Sequence, residues 1–530
     1  MPGFHVEHFG CRAARADGEA VSDRLRAAGH CMQQLSEADV VVVNTCSVTA
    51  EADRAARAFI RRAHRLNPEA RIVVTGCYAQ RAPEELAVLP GVAAVVGNSH
   101  KALAPEIVLG LAKAGPGKIA PRDIVPVQSL LAGGAPIWAD DRFAHSFLEE
   151  AQLTPGAQTR PNLKIQEGCG NRCTFCVIPQ TRGSSKSLPA PAVLRQVEGF
   201  VGAGGNELVL SGINLGRWGW DLPDVAGGDG RVEAFGLPAL RQELNRGSFG
   251  SLRSLRMTGH GVSLGNLAPR RLAALVRAIF EKTALPRLRL SSIEPMDWDA
   301  ELIGLMAEFG GTRLARHAHL PLQSGSDGVL RRMHRRYRPW HYAEKVAALV
   351  EAAGPELTLG ADVMVGFPGE TDAEFEETLA FIRALPFGYL HLFPFSPRPG
   401  TPGWAMHAER PVPAGAVAER MAALRELASE KSETHRRRSI GKELEVITLH
   451  TPAELAARGR TAALAENFLP VEIEGKYAAN RLMRVQVTGL NTEVALEATT
   501  GRSIANAPGF LPGPPLNKTA RSAKPSQCYT

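Results

Sequence analysis

Three cysteines stand close together in the segment GCGNRCTFC, which runs from residue 168 to residue 176. Cys169, Cys173 and Cys176 have no fourth cysteine and no histidine near them in the sequence. A closed zinc site or a fully ligated iron–sulfur site takes four protein ligands. Three thiolates in one loop therefore favour a [4Fe–4S] cluster with one iron open to another ligand, and they disfavour a structural zinc site.

A second set of cysteines is spread along the first hundred residues. Cys11, Cys46 and Cys77 each follow a short apolar run that is predicted to be a strand. Because the carboxyl ends of parallel strands meet at one crevice, three thiols placed there predict a metal site. A small, inert buried side chain is the alternative interpretation of a cysteine at a strand end. Cys31 is interpreted as structural, and Cys528 as a free thiol near the end of the chain.

Alternating apolar runs and helical patterns divide the chain into three folded parts. Residues 1–115 predict an α/β domain with a parallel sheet. Residues 156–410 predict a partial TIM barrel of six β/α units, (β/α)6, with the three-cysteine loop at the carboxyl face of its first strand. Residues 437–504 predict a small antiparallel β-barrel. The remaining spans are predicted to be a linker at 116–155, an insertion at about 221–283, a helical connector at 411–436 and a disordered tail at 505–530.

Composition limits the class of protein and its location. A chain of 530 residues with 44% apolar residues suits two to four packed domains. It has no apolar run long enough to span a membrane and no signal-peptide pattern, so a cytoplasmic location is expected. Eight cysteines in so long a chain do not indicate a disulfide framework. The 61 Lys and Arg residues only slightly exceed the 54 Asp and Glu residues, which permits a nucleic-acid partner without requiring one.

The C-x3-C-x2-C loop after the first strand of a six-unit barrel resembles the radical S-adenosylmethionine (SAM) superfamily. Together with a three-cysteine α/β domain and a small β-barrel resembling an RNA-binding TRAM domain, it resembles the methylthiotransferases from residue 4 to about residue 500. The same likeness is carried by the segments LKIQEGCGNRCTFCVIPQTRG, GGNELVLSGINLG, RLSSIEP, HLPLQSGSD, MVGFPGET and FPFSPRPGT. NTCSVTAEADR, GCYAQ and VVGN resemble the branch that acts on N6-threonylcarbamoyladenosine in tRNA.

The resemblance implies two [4Fe–4S] clusters and two uses of SAM, as methyl donor and as source of a 5'-deoxyadenosyl radical. The cluster that binds SAM is implied on Cys169, Cys173 and Cys176. An auxiliary cluster that carries or donates sulfur is implied on Cys11, Cys46 and Cys77. Contacts to SAM or to the cavity around it are expected from Glu207, Ser291, Glu294, Gln323 and Gly366.

The implied reaction adds a methylthio group to N6-threonylcarbamoyladenosine at position 37 of tRNA, beside the anticodon. The implied partners are tRNA, an external electron donor such as flavodoxin or ferredoxin, and a sulfur source; no membrane is expected. Three alternatives stay open: an isopentenyl-modified adenosine as substrate, an aspartate of a ribosomal protein as substrate, and an iron–sulfur RNA-binding protein without catalysis.

The sequence contains two basic runs, RRMHRRYR and HRRRSIGK. The usual interpretation of such a charge run is a helix face exposed to solvent. With tRNA as substrate, contacts to RNA phosphates become an equal alternative. The candidate phosphate-binding residues are Arg335, Arg336, Arg338, Arg436, Arg437 and Arg438. The chain also departs from the family pattern, with Ala14 where asparagine is common and Gln180 where an aromatic residue is usual.

Overall fold

The computed structural model describes residues 3–113, 134–143, 148, 159–222, 271–491 and 495–500. Within these ranges, parallel α/β layers are followed by a small closed barrel, as the sequence predicts. The barrel has five strands, and one of its strand pairs is parallel rather than antiparallel. No helix in the described part of the chain is long and apolar enough to cross a membrane. Cys528 and the predicted tail at 505–530 lie outside these residues.

The N-terminal domain is a six-stranded parallel sheet with the order β2-β1-β3-β4-β5-β6. Its strands are β1 (Gly3–His8), β2 (Cys31–Met32), β3 (Val40–Thr45), β4 (Arg71–Gly76), β5 (Val92–Gly97) and β6 (Ile137–Trp138). Its helices are α1 (Arg12–Ala27), α2 (Ala50–Leu66), α3 (Cys77–Arg81), α4 (Pro83–Ala87) and α5 (Ala104–Lys113). Val40 and Val42 face one apolar core, and Val41 and Val43 face the other. The run of four valines therefore follows from a strand that is buried on both faces.

The predicted linker at 116–155 is partly wrong. Within it, β6 pairs with β5, and the Trp138 side chain is buried in the N-terminal core. A strand of two residues shows no alternating pattern in the sequence, so periodicity could not reveal it.

In its described residues, the central domain contains six parallel strands arranged as two open sheets, β10-β9-β7-β8 and β11-β12-β13, which together form the predicted partial barrel. The strands are β7 (Asn162–Glu167), the short antiparallel β8 (Lys186–Ser187), β9 (Glu207–Gly212), β10 (Arg287–Leu290), β11 (His317–His319), β12 (Thr358–Val365) and β13 (Phe387–Pro394). The helices are α6 (Ile178–Arg182), α7 (Ala190–Gly202), α8 (Leu272–Lys282), α9 (Ala300–Phe309), α10 (Asp327–Arg332), α11 (Pro339–Ala353), α12 (Asp372–Ala384), α13 (Pro402–Glu409) and α14 (Ala414–Arg437).

The predicted insertion at about 221–283 is too long at its carboxyl end. Helix α8 lies inside that span, and Leu275, Val276 and Ile279 are fully buried in the central core. Their i, i+1 and i+4 spacing is that of an ordinary helix packed on a barrel. Residues 223–270 lie outside the described part of the chain.

The C-terminal domain is a closed barrel with the order β14-β15-β16-β18-β17. Its elements are β14 (Glu443–Thr448), α15 (Ala453–Ala457), β15 (Arg460–Ala465), β16 (Pro470–Glu474), β17 (Leu482–Leu490) and β18 (Leu496–Thr499). Strand β15 is rich in alanine, which is depleted in strands, so its composition alone does not indicate a strand. Arg316 of the central domain anchors this barrel by donating to Glu466 at 2.8 and 2.9 Å.

Candidate active site

The first triad lies at the carboxyl edge of the N-terminal sheet. Cys11 is exposed at the start of α1, whereas Cys46 and Cys77 are buried after β3 and β4. Gly10 adopts a φ of +101°, and a Cβ added there would lie 2.7 Å from the Cys46 Sγ. Glycine is therefore required for the Cys11 loop to approach that sulfur. At this edge Cys46 lies within electrostatic range of both Cys77 and Cys11, at the strand ends where the sequence placed the three thiols.

The surroundings of this triad suit a metal better than free thiols. Burial, and to a smaller extent the neighbouring Cys77 and Cys11 thiols, raise the pKa of Cys46 to about 12. Such a thiol keeps its proton at neutral pH unless a metal replaces the proton. Cys31 lies elsewhere, beside Gly3 at the amino end of β1, in agreement with a structural role.

A buried arginine links this triad to the central domain. The Arg182 Nε donates to the Cys77 Sγ at 3.3 Å, and its Nη1 donates to Asp17 at 3.0 Å and to Glu167 at 2.5 Å. The Asn98 Nδ2 donates to the same sulfur at 3.5 Å. Its position next to Cys77 makes Arg182 a counter-charge for thiolates at this edge.

The second triad occupies the loop between β7 and α6. The loop is fixed by the backbone: Cys169 N–H donates to Gly183 O at 3.1 Å, and Cys176 N–H donates to Cys173 O at 3.1 Å. The Cys169 Sγ accepts from Asn171 N–H at 3.4 Å and from Asn214 Nδ2 at 3.6 Å. These donors and the parallel barrel edge position half-buried sulfurs at the face where barrel active sites lie.

The buried position of Arg335 contradicts its predicted role in RNA binding. It is only 7% exposed, and its Nη1 donates to the Cys173 Sγ at 3.3 Å. Its Nη2 donates to both carboxylate oxygens of Glu294, at 2.8 and 2.6 Å. A guanidinium buried in this way cannot reach an RNA phosphate. Arg335 therefore holds the second triad and Glu294 together, and Glu294 lies beside the cysteine loop as the sequence suggested.

The remaining arginines of the first basic run are paired with protein carboxylates. Arg336 lies 3.1 Å from Asp297 and is exposed, and Arg338 lies 3.1 Å from Asp327 and is partly buried. At the second run, Arg437 is exposed and paired with Glu433, Arg438 is exposed, and Arg436 is partly buried. Only the outward-facing members of the two runs are in a position to meet a large ligand.

Glu207 is wrongly predicted to contact SAM. It begins β9, and it is fully buried, accepting from Arg289 Nε at 2.9 Å and from Arg287 Nη1 at 3.2 Å. Arg287 in turn pairs with Glu445 of the C-terminal barrel. Because a six-residue strand is about 17 Å long, Glu207 lies at the opposite end of the barrel from the cysteine loop. Its role is to anchor buried cations between two domains.

A cavity of about 290 Å³ lies between the second triad and the segment that follows Cys46. Its lining residues are Val48, Thr49, Phe175, Cys176, Val177, Ile178, Gln323, Asp362, Met364, Phe393, Pro394, Phe395 and Ser396. Apolar and aromatic walls with few polar groups are typical of a small-molecule or nucleobase site.

Two buried polar atoms fit a ligand in this region. The Gln323 Oε1 and the Ser291 Oγ are buried and have no hydrogen-bond partner among the described residues. Gln323 also has a φ of +65°, which is uncommon for a residue other than glycine. A buried unpaired polar group is costly, so both atoms suit a bound ligand. Gln323 lines the cavity that contains Cys176, and Ser291 directly follows β10 at the carboxyl face of the barrel. Gly366 shapes the backbone, since an added Cβ would lie 2.6 Å from Val417.

Three thiols in a loop at the carboxyl face of a partial barrel are the arrangement that the resemblance to radical SAM enzymes implies. Residues 239–382 match the radical SAM superfamily, and residues 3–97 match the uncharacterized protein family UPF0004. The fold is similar to that of a radical S-adenosylmethionine methyltransferase, TsrM from Kitasatospora setae, with a TM-score of 0.51 and 14% identity over 77% of this chain and 78% of that one.

Similarity to proteins of known function narrows the class of radical SAM enzyme to which the chain belongs. The threonylcarbamoyladenosine tRNA methylthiotransferase MtaB of Bacillus subtilis (strain 168) is 33% identical, over 89% of this chain and 90% of the relative. The MtaB of Aquifex aeolicus (strain VF5) is 31% identical, over 91% and 99%. A tRNA-2-methylthio-N(6)-dimethylallyladenosine synthase of Sorangium cellulosum (strain So ce56) is 32% identical, over 88% and 85%. The chain therefore belongs to the radical SAM methylthiotransferases, which confirms the predicted family, fold class and cofactors: [4Fe–4S] clusters and SAM.

Proposed function

We propose that this enzyme converts N6-threonylcarbamoyladenosine to its 2-methylthio derivative at position 37 of tRNA. The observation that carries the proposal is the cavity whose walls contain both Cys176 and the Val48–Thr49 segment beside Cys46. A base held there lies between the two thiol triads. The names of the Bacillus and Aquifex relatives favour the threonylcarbamoyl nucleoside.

The two triads have separate roles in this proposal. Cys169, Cys173 and Cys176 hold the SAM-binding cluster, and Cys11, Cys46 and Cys77 hold the auxiliary cluster. When bound, the clusters and SAM supply the electron, the radical, the sulfur and the methyl group. The chain's own residues position the reactants: Gln323 and Ser291 offer the unpaired polar atoms, and the aromatic cavity walls exclude water and stack against a base.

The remaining partners follow from the same proposal. An external one-electron donor such as flavodoxin or ferredoxin supplies electrons, and a sulfur source renews the auxiliary site in the cytoplasm. Cys11 is the exposed member of its triad, so we expect sulfur to be delivered on that side. Arg182, which donates to Cys77, balances the negative charge of the thiolates.

Replacing Arg335 by methionine should make the SAM-binding cluster harder to reduce. A positive charge about 6 Å from the cluster at an effective dielectric constant of about 20 corresponds to a shift of about 100 mV. We expect a more negative midpoint potential in a redox titration followed by electron paramagnetic resonance. Arg336→Met is the matched control, because Arg336 is exposed and paired with Asp297. Equal potentials in the two variants would contradict a role for Arg335 at the cluster.

Changing Arg436, Arg437 and Arg438 to glutamine should weaken tRNA binding and its dependence on salt. They end α14 immediately before the C-terminal barrel. Up to three lost phosphate contacts would reduce the slope of log affinity against log salt by about two to three. Fluorescence anisotropy with labelled tRNA measures the slope. Glutamines at the exposed Arg61, Arg62 and Arg65 of α2 make the same change in net charge, and an equal slope for both triple variants would remove the claim.

Nucleoside mass spectrometry of tRNA from a strain that lacks the gene tests the substrate. We expect 2-methylthio-N6-threonylcarbamoyladenosine to disappear and the unthiolated nucleoside to accumulate. Loss of the methylthio group from the isopentenyl nucleoside would instead support the second candidate, which the Sorangium relative favours. Unchanged tRNA nucleosides would contradict both and favour the ribosomal protein as substrate.

A further inference from the structure

Two histidines and an aspartate meet on the three neighbouring strands of the second barrel sheet. His319 lies on β11, Asp362 on β12 and His391 on β13. The Asp362 Oδ1 is 3.4 Å from the His319 Nε2 and 3.2 Å from the His391 Nδ1. The three side chains can each offer one atom within 4.8 Å of the other two. None of the three residues belongs to either cysteine triad.

The contacts among these three side chains leave one of their ring nitrogens without a hydrogen-bond partner among the described residues. His319 is 8% exposed, yet its Nε2 has no hydrogen-bond partner among the described residues, because its approach to Asp362 lacks hydrogen-bond geometry. The contact from His391 is at the long limit of the normal hydrogen-bond range. A buried ring nitrogen without a partner is costly, so a ligand that accepts its lone pair would stabilise the arrangement.

We propose that His319, Asp362 and His391 bind a divalent cation such as Zn²⁺. Zinc lies about 2.0–2.1 Å from imidazole nitrogen and carboxylate oxygen, so neighbouring ligands at a tetrahedral angle are about 3.3–3.4 Å apart. The two observed separations of 3.4 and 3.2 Å agree with that spacing. Two histidines and one carboxylate are also a usual set of protein ligands for a metal that keeps open positions.

The open coordination positions of the proposed cation face the cavity beside the second triad. Asp362 lines the cavity that contains Cys176 and Gln323, so a cation on Asp362 borders the same space. The Tyr389 ring stacks on His319 with an interplanar angle of 3° and a centroid distance of 5.9 Å, which restrains the imidazole. An oxygen or nitrogen atom of a molecule in the cavity can therefore complete the coordination. This site is independent of the identity of the tRNA nucleoside.

Equilibrium dialysis of the holoenzyme against Zn²⁺ tests the site. Elemental mass spectrometry counts bound zinc, and iron is counted in parallel to show that both clusters stay intact. We expect one zinc per chain in the wild type and an affinity at least about tenfold weaker in Asp362→Asn and in His391→Gln. His450→Gln is the control, because His450 is exposed on the C-terminal barrel, and it should bind zinc like the wild type.

Two results would overturn the proposal. The first is equal zinc binding by the wild type and Asp362→Asn, which would leave only a histidine–aspartate contact. The second is loss of zinc in Asp362→Asn while His391→Gln retains full affinity. Because the His391 side chain is 62% exposed, its replacement should not disturb folding, and its circular dichroism spectrum and iron content verify this.

Discussion

Alanine at Cys169, Cys173 and Cys176 is expected to reduce the formation of 5'-deoxyadenosine from SAM by at least about a thousandfold, equivalent to about 4 kcal/mol of barrier. The reason is the ligand count: the loop offers three sulfurs and keeps no replacement ligand. Chromatography of the anaerobic, reduced reaction measures 5'-deoxyadenosine. Iron analysis should show that half of the metal is lost.

A matched control separates this effect from a general effect of removing cysteine. Cys31→Ala changes a cysteine of β2 that lies at the opposite edge of the N-terminal sheet from the first triad. Its iron content and its rate of SAM cleavage should equal those of the wild type. Cleavage at the wild-type rate in the triple alanine variant would contradict the assignment of the SAM-binding cluster to this loop.

Alanine at Cys11, Cys46 and Cys77 is expected to have a different result. Cleavage of SAM to 5'-deoxyadenosine should continue, while the methylthio nucleoside falls below detection. The physical reason is separation: these thiols belong to the N-terminal sheet, whereas the second loop is held by its own backbone hydrogen bonds and by Arg335. Half of the iron should again be lost, as measured by elemental analysis.

This second prediction tests whether the two cysteine triads act separately. Methylthio product from the variant would contradict the sulfur-carrying role of the first triad. Loss of both product and SAM cleavage would show that the sets are coupled. The path for such coupling is α6, which begins two residues after Cys176 and ends at Arg182, in contact with Cys77.

Each triad has a buried arginine whose N–H group donates to one sulfur at 3.3 Å. Arg182 serves Cys77, and Arg335 serves Cys173. A thiolate cluster brings negative charge into a poorly hydrated place, and a buried charge needs a partner. The carboxylates Glu167 and Glu294 hold the same two arginines, so each cation is fixed before any cluster is present.

Sequence patterns were sufficient where the signal was local. The apolar runs near the N-terminus predicted strands of a parallel sheet, and a cysteine after each of three such strands predicted a shared edge. The loop from Cys169 to Cys176 carried its own spacing. In each case the informative residues lie within a few positions of each other or at equivalent strand ends.

Sequence patterns failed where the deciding partner was distant in the chain. Arg335 contacts a sulfur 162 positions away, so a dense basic run gave no sign that one member points inward. Glu207 meets Arg289 82 positions away, and that buried pair, rather than SAM, accounts for its charge. Hydrophobic periodicity reports which face is buried, but it does not report which charged groups are paired there.

The most direct test is a single anaerobic reaction of the reconstituted enzyme with reductant, SAM and tRNA that carries N6-threonylcarbamoyladenosine. If the two triads work as a methylthiotransferase, 2-methylthio-N6-threonylcarbamoyladenosine should form together with equal amounts of 5'-deoxyadenosine and S-adenosylhomocysteine. Formation of 5'-deoxyadenosine alone, with neither S-adenosylhomocysteine nor a methylthio nucleoside, would contradict that function.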